Sequence, residues 1–280
     1  MNYELLIADS GSTKTDWAVG ALRIKTQGIN PFHQDVATIS RILNEELLPR
    51  LDNHHSGVKS IRFYGSGVRP ELQTVMEELL HSAFPAATDI QARSDLFGAA
   101  RALCGRHEGI ACILGTGANS CLFDGNQIVA NTPPLGYILG DEGSGAVLGQ
   151  RFLTALYRKE LGEDLLLQFE NWAGMNLSSI IDRVYRRPMA NRWLASLAPF
   201  IHDHLSNAAL QSLVVSNFSD FIVHHVNPYN RHDLPLSAVG SIAFFFRSQL
   251  MQAARVEGYS LGTILKSPID GLANPTLTHS

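Results

Sequence analysis

The sequence contains one pattern twice: an apolar run, a tip of small polar residues and glycine, and a second apolar run. The first copy is "LLIADSGSTKTDWAVG", residues 5–20, and the second is "IACILGTGANSCLFDGNQIVA", residues 110–130. Short apolar runs separated by turn formers predict the buried strands of β-hairpins. Because each copy leads a segment of mixed helix and strand, the sequence predicts a duplicated architecture whose two tips face each other across a cleft.

The residues that follow the first hairpin alternate between strand-like and helix-like patterns. A third strand is predicted near residues 22–26, and a helix after it carries an apolar face formed by Ile39, Ile42, Leu43 and Leu47. Strands are then predicted over 60–67 and 88–93, with helices over 70–84 and 95–105. From 143 to about 257 the pattern is mostly helical, interrupted by the strand-like "LPLSAVGS". The predicted fold class is therefore α/β.

Composition limits the domain number and the kinds of partner. A chain of 280 residues with 45% hydrophobic and 17% charged residues is expected to form two domains with substantial cores. Its net charge of -4 and pI near 6.2 argue against binding driven by nucleic-acid phosphates or by an anionic membrane, so small-molecule partners are expected.

Compartment is predicted from cysteine usage and hydropathy. The three cysteines form no CxxC pair, which favours a reducing cytoplasm over a disulfide framework. The first residues lack the basic flank and long apolar core of a signal peptide, and no apolar run reaches the ~20 residues of a membrane span.

The first tip, Gly11-Ser12-Thr13-Lys14-Thr15, has the chemistry of an anion site. It offers uncrowded backbone N–H groups, hydroxyls and an ammonium, which together suit a phosphate. An ordinary solvated turn is the alternative interpretation. The Walker-type phosphate loop is excluded, because Lys14 follows Thr13 instead of Gly and a strand comes next.

Four motifs in order carry a resemblance to a known family. The stretches "ADSGSTKTDWAV", "LGTGANSCLFDG", "LGYILGDEGSGAVLG" and "AVGSIAFFF" resemble the first phosphate, second phosphate, glycine–acid and adenosine motifs of the N-acetylglucosamine kinase family. That family belongs to the superfamily of actin, hexokinase and the heat-shock chaperone ATPases, and the resemblance spans essentially the whole chain. It implies two ribonuclease-H-like (actin-like ATPase) domains that close over ATP-Mg and an amino sugar. We expect the domains at 1–106 and 107–265, with 266–280 packing back on the first.

The resemblance assigns a nucleotide-binding role to three groups of residues. Asp9 would hold Mg²⁺ through water, although an Asp that merely starts a turn is the alternative. Backbone and side chains of the two tips would hold the β- and γ-phosphates, through Gly11, Ser12, Thr13, Lys14, Thr116 and Gly117. Gly240 and Ser241 would let adenine lie close to the backbone, and a tight packing turn is the alternative there.

The resemblance also assigns the base and the sugar ligands. Asp95 would take the proton of the sugar hydroxyl; alternatively it is only the N-cap of the following helix, and the base, for instance Asp141, lies elsewhere. Asp141 would accept hydrogen bonds from sugar hydroxyls, with a first-turn acid of a helix as the alternative. Asn30, Asn119 and Gly136 would complete the sugar site.

The expected activity is phosphorylation of N-acetylglucosamine, at O6, by a cytoplasmic homodimer that uses ATP and Mg²⁺. Three alternatives stay open: a kinase of N-acetylmuramic acid or glucosamine, a nucleotide-binding protein without catalysis, and an ATPase activator of a 2-hydroxyacyl-CoA dehydratase. The last would share an iron–sulfur cluster between subunits, and the cysteines Cys104, Cys112 and Cys121 are its only candidate ligands. The histidine-rich segments near His202 and His225 lack a convincing metal-ligand set and are expected to be solvent-facing or in loops.

Overall fold

Two five-stranded sheets organise the residues described by the computed structural model, which are 4–11 and 13–273. The strands are β1 (Glu4–Ser10), β2 (Lys14–Val19), β3 (Leu22–Gln27), β4 (Val58–Gly65), β5 (Asp89–Ser94), β6 (Glu108–Leu114), β7 (Ala118–Asp124), β8 (Ile128–Ala130), β9 (Leu236–Val239) and β10 (Leu261–Leu265). The helices are α1 (Val36–Arg41), α2 (Leu48–Leu51), α3 (Pro70–Ala83), α4 (Asp95–Cys104), α5 (Gly136–Leu139), α6 (Gly145–Tyr157), α7 (Glu163–Ala173), α8 (Leu177–Tyr185), α9 (Ala190–Ala195), α10 (Ala198–Asp203), α11 (Ala208–Phe221), α12 (Ser241–Phe245), α13 (Arg247–Val256) and α14 (Pro268–Leu272).

Shorter helical segments connect some of these elements. A π-helical segment, Ile42–Leu47, joins α1 to α2, and a second one, Ile222–Val226, extends α11. Segments of 3-10 helix follow at Asp52–Gly57 and Asn227–Tyr229.

Contacts divide the chain into two units. The first contains the described residues up to 107, residues 125–127 and the described residues from 267 onward; the second contains 108–124 and 128–266. The C-terminal helix α14 packs against α4 and β1 of the first unit.

The sheet of the first unit has the strand order β3-β2-β1-β4-β5. Strands β1, β2 and β3 are antiparallel neighbours, and β4 and β5 are added in parallel beside β1. Since successive side chains point to opposite faces of a strand, Leu6 and Ala8 enter one buried core together with Trp17 and Phe63. Asp9 points to the other face.

The sheet of the second unit repeats this arrangement in the order β10-β9-β6-β7-β8. Strands β6, β7 and β8 are antiparallel, while β9 and β10 are added in parallel beside β6. The predicted α/β class and its duplicated hairpins are confirmed. Strand β10, "LGTIL", was not predicted, because a five-residue run containing glycine fits a strand no better than a loop.

Helices cover the core of the second unit. Three phenylalanines meet there with ring centroids 5.2 Å apart for Phe152 and Phe169 and 5.3 Å apart for Phe169 and Phe200. No helix within 4–11 and 13–273 has both the length and the apolar character that crossing a membrane requires.

Candidate active site

The first polar tip connects β1 to β2 and is fixed by hydroxyl groups at its base. The Ser10 and Thr15 hydroxyl oxygens lie 2.6 Å apart, and Ser10 Oγ also donates to the carbonyl of Ile29 over 2.9 Å. Inside the tip, the Gly11 N–H donates to the Lys14 carbonyl over 3.0 Å. Gly11 and Thr13 are exposed to solvent, whereas Ser12, assigned to phosphate by resemblance, lies outside the described residues. The tip is therefore an anchored turn with an exposed surface.

Lys14 is held by a carboxylate that the sequence analysis did not single out. Its ammonium lies 2.6 Å from Asp16 Oδ2, and the Asp16 side chain is largely buried. Asp16 stands directly opposite Asp9 in the β1–β2 register. Antiparallel neighbours of this kind project to the same face of the sheet, so the two carboxylates share one surface with the Lys14 ammonium beside them.

The carboxyl group of Asp9 has an unusually high affinity for a proton. Burial is the largest cause, followed by the negative charges of Asp16 and Asp95, and together they raise its pKa from 3.8 to about 7. Lys14 and a hydrogen bond with the Ser267 side chain oppose this rise. A carboxylate in this setting is stabilised by any cation that approaches it.

The donor set around Asp9 fits Mg²⁺ held mainly through water. Magnesium keeps several waters and typically binds one or two protein carboxylates together with substrate phosphates. Among the described residues no group of three or more His, Cys, Asp or Glu side chains could enclose a metal ion. The Asp9–Asp16 pair therefore matches a partly hydrated hard cation and does not match a fully protein-ligated one.

Asp95 is the first residue of α4, and its neighbour Ser94 is the N-cap. The Ser94 hydroxyl accepts the Phe97 N–H over 3.2 Å, which satisfies one of the unpaired amides of the first turn. The interpretation of Asp95 as the capping residue is therefore wrong. Asp95 Oδ1 instead accepts the Leu96 N–H over 2.8 Å. Burial raises the pKa of Asp95, and this amide bond opposes the rise.

Asn30 lies in the loop that follows β3, with its side chain buried against the backbone of Gly67. Its Oδ1 accepts the Phe32 N–H over 3.0 Å, and a Cβ at Gly67 would lie only 2.1 Å from Oδ1. The side-chain amide nitrogen, Nδ2, makes no hydrogen bond to the described residues. Asn30 thus shapes its own loop, and only its amide nitrogen is left to meet a ligand.

In the second unit the second tip is tied to the N-terminus of α6. The Gly145 N–H donates to the Gly115 carbonyl over 2.8 Å, and the Ala146 N–H donates to the Thr116 carbonyl over 3.2 Å. Thr116 is exposed at the tip, and Gly117 lies beside Asp141, whose Oδ2 would be 3.0 Å from a Cβ at that position. The structure thus brings Thr116, Gly117 and Asp141 into one cluster.

Asp141 occupies a strained position within "GDEGSG". It is buried and has a positive φ of 56°, which non-glycine residues rarely adopt. Burial raises the pKa of Asp141, and the backbone N–H groups of Ala118 and Gly136 oppose that rise. Gly136, a predicted sugar ligand at the start of α5, therefore acts electrostatically on the Asp141 carboxylate.

The rest of this motif forms the turn into α6. Gly143 has φ of 80°, and a side chain there would meet Phe221 at 2.7 Å, so only glycine fits. Ser144 is the N-cap of α6 and accepts the Val147 N–H over 3.1 Å. The first-turn-acid alternative for Asp141 is wrong, since Asp141 precedes the cap by three positions.

Glu142 and the buried His225 form a hydrogen-bonded pair that sequence reasoning missed. Glu142 Oε2 lies 3.0 Å from His225 Nε2, and the His225 ring stacks on Phe221 at 5.3 Å. The backbone carbonyl of His225 accepts hydrogen bonds from the hydroxyls of Ser120 and Thr132, each over 2.9 Å. The expectation that the histidines face solvent or lie in loops is wrong for His225, and no local signal joins residues 83 positions apart.

Asn119 lies on β7, next to the second tip. Its Oδ1 accepts the Ser120 N–H and the Asn131 Nδ2, each over 2.9 Å. These two bonds fix the orientation of the side-chain amide and direct the amide nitrogen away from them. Asn119 is therefore a preoriented polar group in the same unit as Asp141.

A cavity of about 580 Å³ in the second unit joins two predicted nucleotide contacts. Thr116 and Ser241 both line it, and most of the remaining wall is apolar. Phe245 and Phe246 of the predicted adenosine motif also line it, together with three residues that were not predicted as contacts: Arg192, His202 and Asp203. Its volume and mixed lining suit a ligand of nucleoside size.

Gly240 lies in the turn directly before Ser241, which lines this cavity. It connects β9 to α12 with φ of 125°, and a Cβ there would lie 2.2 Å from the carbonyl oxygen of Leu114. Only glycine allows this approach, so both the predicted ligand role and the packing-turn alternative are compatible with the geometry.

The predicted residues are therefore divided between the two units. Asp9, the described part of the first tip, Asn30 and Asp95 belong to the first unit, while the second tip, Asn119, Gly136, Asp141, Gly240 and Ser241 belong to the second. Within the first unit, Asp9 and Asp95 interact electrostatically. Within the second, Asp141 lies beside Gly117 of the tip.

The cysteines are poorly placed to ligate a shared metal cluster. Cys112 and Cys121 are buried within β6 and β7, and burial of Cys104 raises the pKa of its thiol to about 11. Cluster ligation requires accessible thiolates. The burial of these thiols argues against the dehydratase-activator alternative.

Solved structures with the same fold include several sugar kinases. A candidate N-acetylglucosamine kinase from Porphyromonas gingivalis aligns with a TM-score of 0.93 and 47% identity, covering 98% of this chain and 99% of its own. A second candidate from Chromobacterium violaceum aligns with a TM-score of 0.74 and 18% identity, covering 99% of both chains. An ROK family glucokinase from Streptomyces griseus, in complex with glucose and AMPPNP, aligns with a TM-score of 0.54 and 12% identity over 96% of each chain.

These three matches differ in sequence identity and therefore in what they support. The last two share less than a quarter of their residues with this chain and support the fold alone, whereas the first is a close relative over its full length. No protein-family model matches the sequence, and no curated protein matches it either.

Proposed function

Because this chain belongs to the N-acetylglucosamine kinase family, we propose that it transfers the γ-phosphoryl group of ATP to the O6 hydroxyl of N-acetylglucosamine. The observation that carries the proposal is the agreement between the full-length relative and the site chemistry. Partly buried carboxylates with raised pKa values, two anchored polar tips and a nucleoside-sized cavity are the parts that such a transfer requires.

We assign phosphate binding, metal binding and proton transfer to residues of the first unit. Lys14, with Gly11, Ser12 and Thr13, would neutralise and position the β- and γ-phosphates, and the bond to Asp16 keeps the Lys14 ammonium close to Asp9. As the oxygen–phosphorus bond forms and ADP leaves, Asp95 would accept the proton of the sugar hydroxyl. Its raised pKa makes it a stronger base than an exposed aspartate.

We assign binding of the nucleoside and of the sugar to residues of the second unit. The cavity beside Thr116 and Ser241 would receive the adenosine, with Gly117 and Gly240 allowing close approach of the backbone. Asp141 and the amide nitrogen of Asn119 would bind sugar hydroxyls, with Gly136 and Asn30 as further sugar contacts. We propose that both sets act on the same pair of bound substrates.

Mg²⁺ fits the proposal because Asp9 and Asp16 present two carboxylates on one surface. When bound, the ion would neutralise charge on the β- and γ-phosphates. Asp9 would hold it through water, and Asp16 would hold Lys14.

We also propose a cytoplasmic location, where ATP and reduced thiols are available, and a homodimer. Sedimentation equilibrium tests the oligomeric state directly. A monomer at micromolar concentration would contradict the dimer and leave the kinase proposal unaffected.

A coupled ADP-release assay against a panel of sugars tests the proposed activity. The panel comprises N-acetylglucosamine, N-acetylmannosamine, N-acetylmuramic acid, glucosamine and glucose, each with Mg-ATP. We expect the highest kcat/KM for N-acetylglucosamine. Highest activity on another amino sugar would make that sugar the substrate. ATP hydrolysis at the same rate without any sugar would reject the proposed kinase activity.

Two neighbouring substitutions separate catalysis from helix capping. Asp95→Asn should reduce kcat by ~10²–10⁴-fold with near-normal binding of both substrates, because it removes the base. Ser94→Ala removes the observed N-cap and should cost about 1 kcal/mol of stability with kcat largely preserved. Retention of more than a tenth of kcat by Asp95→Asn would contradict its role as the base.

A further inference from the structure

The first unit contains a second cavity, which the kinase proposal does not use. It has a volume of about 550 Å³ and lies between the sheet face formed by β1, β4 and β5, the helices α4 and α14, and residues 106 and 126–127. Among the described residues its lining contains no carboxylate and four arginines: Arg62, Arg93, Arg101 and Arg106. We call this space the arginine cavity.

The charge of the arginine cavity is only partly compensated by its surroundings. Arg62 pairs with Asp89 at 2.5 Å, and Arg93 lies 3.8 Å from Glu77. Both acids lie outside the lining. Arg62 and Arg93 thus each have a carboxylate partner, whereas the exposed Arg106 makes no ion pair with any described residue and keeps positive charge in the lining, in a chain whose overall charge is -4.

The third and fourth arginines hold the opposite wall. Arg101 Nη1 donates to the carbonyls of Gly105 and Gly125 over 3.0 and 3.2 Å, which fixes its guanidinium plane. Arg106 is exposed and makes no ion pair with any described residue. A planar guanidinium held in place is preorganised to donate two parallel hydrogen bonds to an oxyanion.

The buried Tyr64 also lines the arginine cavity. Burial raises the pKa of Tyr64, while the positive charges of Arg101, Arg62 and Arg93 oppose that rise, so all three guanidinium groups act on the same phenol. The Tyr64 ring stacks with Phe97 at 6.3 Å, and Gln91 adds a neutral amide to the lining. The arginine cavity thus combines cationic donors with an aromatic surface and neutral polar groups.

The arginine cavity is separate from the predicted phosphate and metal residues. Its β1 residues are Leu5 and Ile7, which precede Asp9 by four and two positions. At ~3.3 Å per residue, they lie roughly 13 and 7 Å along the strand from Asp9. Asp9 and Asp95 are at the C-terminal ends of β1 and β5, where α/β sheets usually bind substrates.

We propose that the arginine cavity binds the phosphate group of a small phosphorylated metabolite. A doubly charged phosphate complements the positive charge in the lining, and its oxygens can accept from several guanidinium groups at once. The volume leaves room beside the phosphate for a compact polar body such as a sugar ring, which would contact Tyr64 and Gln91.

Isothermal titration tests this site independently of the kinase activity. The protein is first saturated with N-acetylglucosamine and Mg-AMPPNP, and inorganic phosphate, glucosamine 6-phosphate or unphosphorylated glucosamine is then added. Three variants are compared with the wild type: Arg106→Gln, the double variant Arg93→Gln/Arg106→Gln, and the control Arg255→Gln, which removes an exposed arginine of α13 in the other unit.

We expect phosphate-bearing probes to bind and glucosamine not to bind. Arg106→Gln should weaken binding about tenfold, the double variant more, and Arg255→Gln not at all, since hydrogen bonds to charged groups are the strong ones. Arg106→Gln should fold normally because the side chain has no ion-pair partner to lose. Tighter binding of glucosamine 6-phosphate than of phosphate would assign the ligand as a phosphosugar, and equal binding would assign it as phosphate alone.

Two outcomes would overturn the proposal. One is the absence of phosphate binding at millimolar concentration; the other is binding that neither arginine variant weakens. Both readouts depend on affinity alone, so they remain decisive even if the sugar panel rejects the kinase.

Discussion

Replacing Asp9 by Asn should stabilise the protein at alkaline pH while it abolishes activity. Asp9 lies opposite Asp16 on the sheet, and burial and the charges of Asp16 and Asp95 raise its pKa to about 7. The carboxylate is therefore an unfavourable group in the folded protein without its ligands. An Asn of the same shape carries no charge at any pH.

The size of this change in folding stability follows from the difference between the pKa of Asp9 in the folded and unfolded states. The pKa of Asp9 is about 7 in the folded state and 3.8 ordinarily, so the folded protein binds this proton more tightly than the unfolded chain does. The resulting stability is fully present below pH 4 and is lost as the pH rises through 7. At ~1.4 kcal/mol per pH unit the loss is at most about 4 kcal/mol, and partial solvent access reduces it to roughly 2–4 kcal/mol.

Urea unfolding at pH 5 and pH 8, followed by the fluorescence of Trp17, measures this loss. Trp17 is buried on β2 in the same unit as Asp9, and replacing Trp172 and Trp193 by Phe removes the signals of the other unit. Asp9→Asn should be more stable than the parent by ~2–4 kcal/mol at pH 8, with most of this gain absent at pH 5. Asp141 and Asp95 titrate in both proteins, so their contributions largely cancel in the difference.

Asp164→Asn is the matched control, because it removes an exposed carboxylate of α7. It should show the pH dependence of the parent. If Asp9→Asn and the parent lose stability in parallel between pH 5 and pH 8, Asp9 is ionised at neutral pH in the folded protein, and the burial argument is refuted. Retained turnover with Mg-ATP would separately refute its role at the metal.

Two further substitutions test the contacts described above. Asp16→Asn removes the partner of Lys14. Because the Lys14 end of this ion pair is exposed to solvent, the pair contributes at most about 1 kcal/mol, and we expect the KM for ATP to rise up to about fivefold with a smaller change in kcat. An unchanged KM would contradict the positioning of Lys14. Gly149→Ala would place a Cβ 2.2 Å from the carbonyl oxygen of Leu194, and it should lower the unfolding free energy by ~1–3 kcal/mol. Thermal unfolding measures this against Gly115→Ala, where a Cβ meets nothing within 4 Å, and equal melting temperatures would contradict the close contact.

Local sequence was sufficient to predict most secondary structure and the family. The hairpins, the amphipathic face with Ile39 and Leu43, and the end of α4 at Gly105, with φ of 60°, all follow from periodicity and turn chemistry. These signals span a few residues, so they can be read without knowing which segments meet. The duplicated hairpins predicted the α/β class for the same reason.

The N-terminus of α4 shows the limit of local reasoning. Ser and Asp both cap helices well, and "RSDLFG" places Ser94 and Asp95 side by side. Only the backbone path decides which of the two caps, and it selects Ser94. Asp95 therefore does not cap the helix, and its partial burial raises its pKa.

The two hairpins, their polar tips and the motifs that identify the family can be predicted from the chain alone, because each depends on residues that are neighbours in sequence. Folding paired Glu142 with His225, set Asp16 opposite Asp9, and brought four arginines from two strands, one helix and a loop into one cavity. Strand register and helix packing bring these groups together across long sequence separations. Burial, together with the nearby charges of Asp16 and Asp95, then raises the pKa of Asp9 to about 7, a shift that its sequence neighbours do not predict.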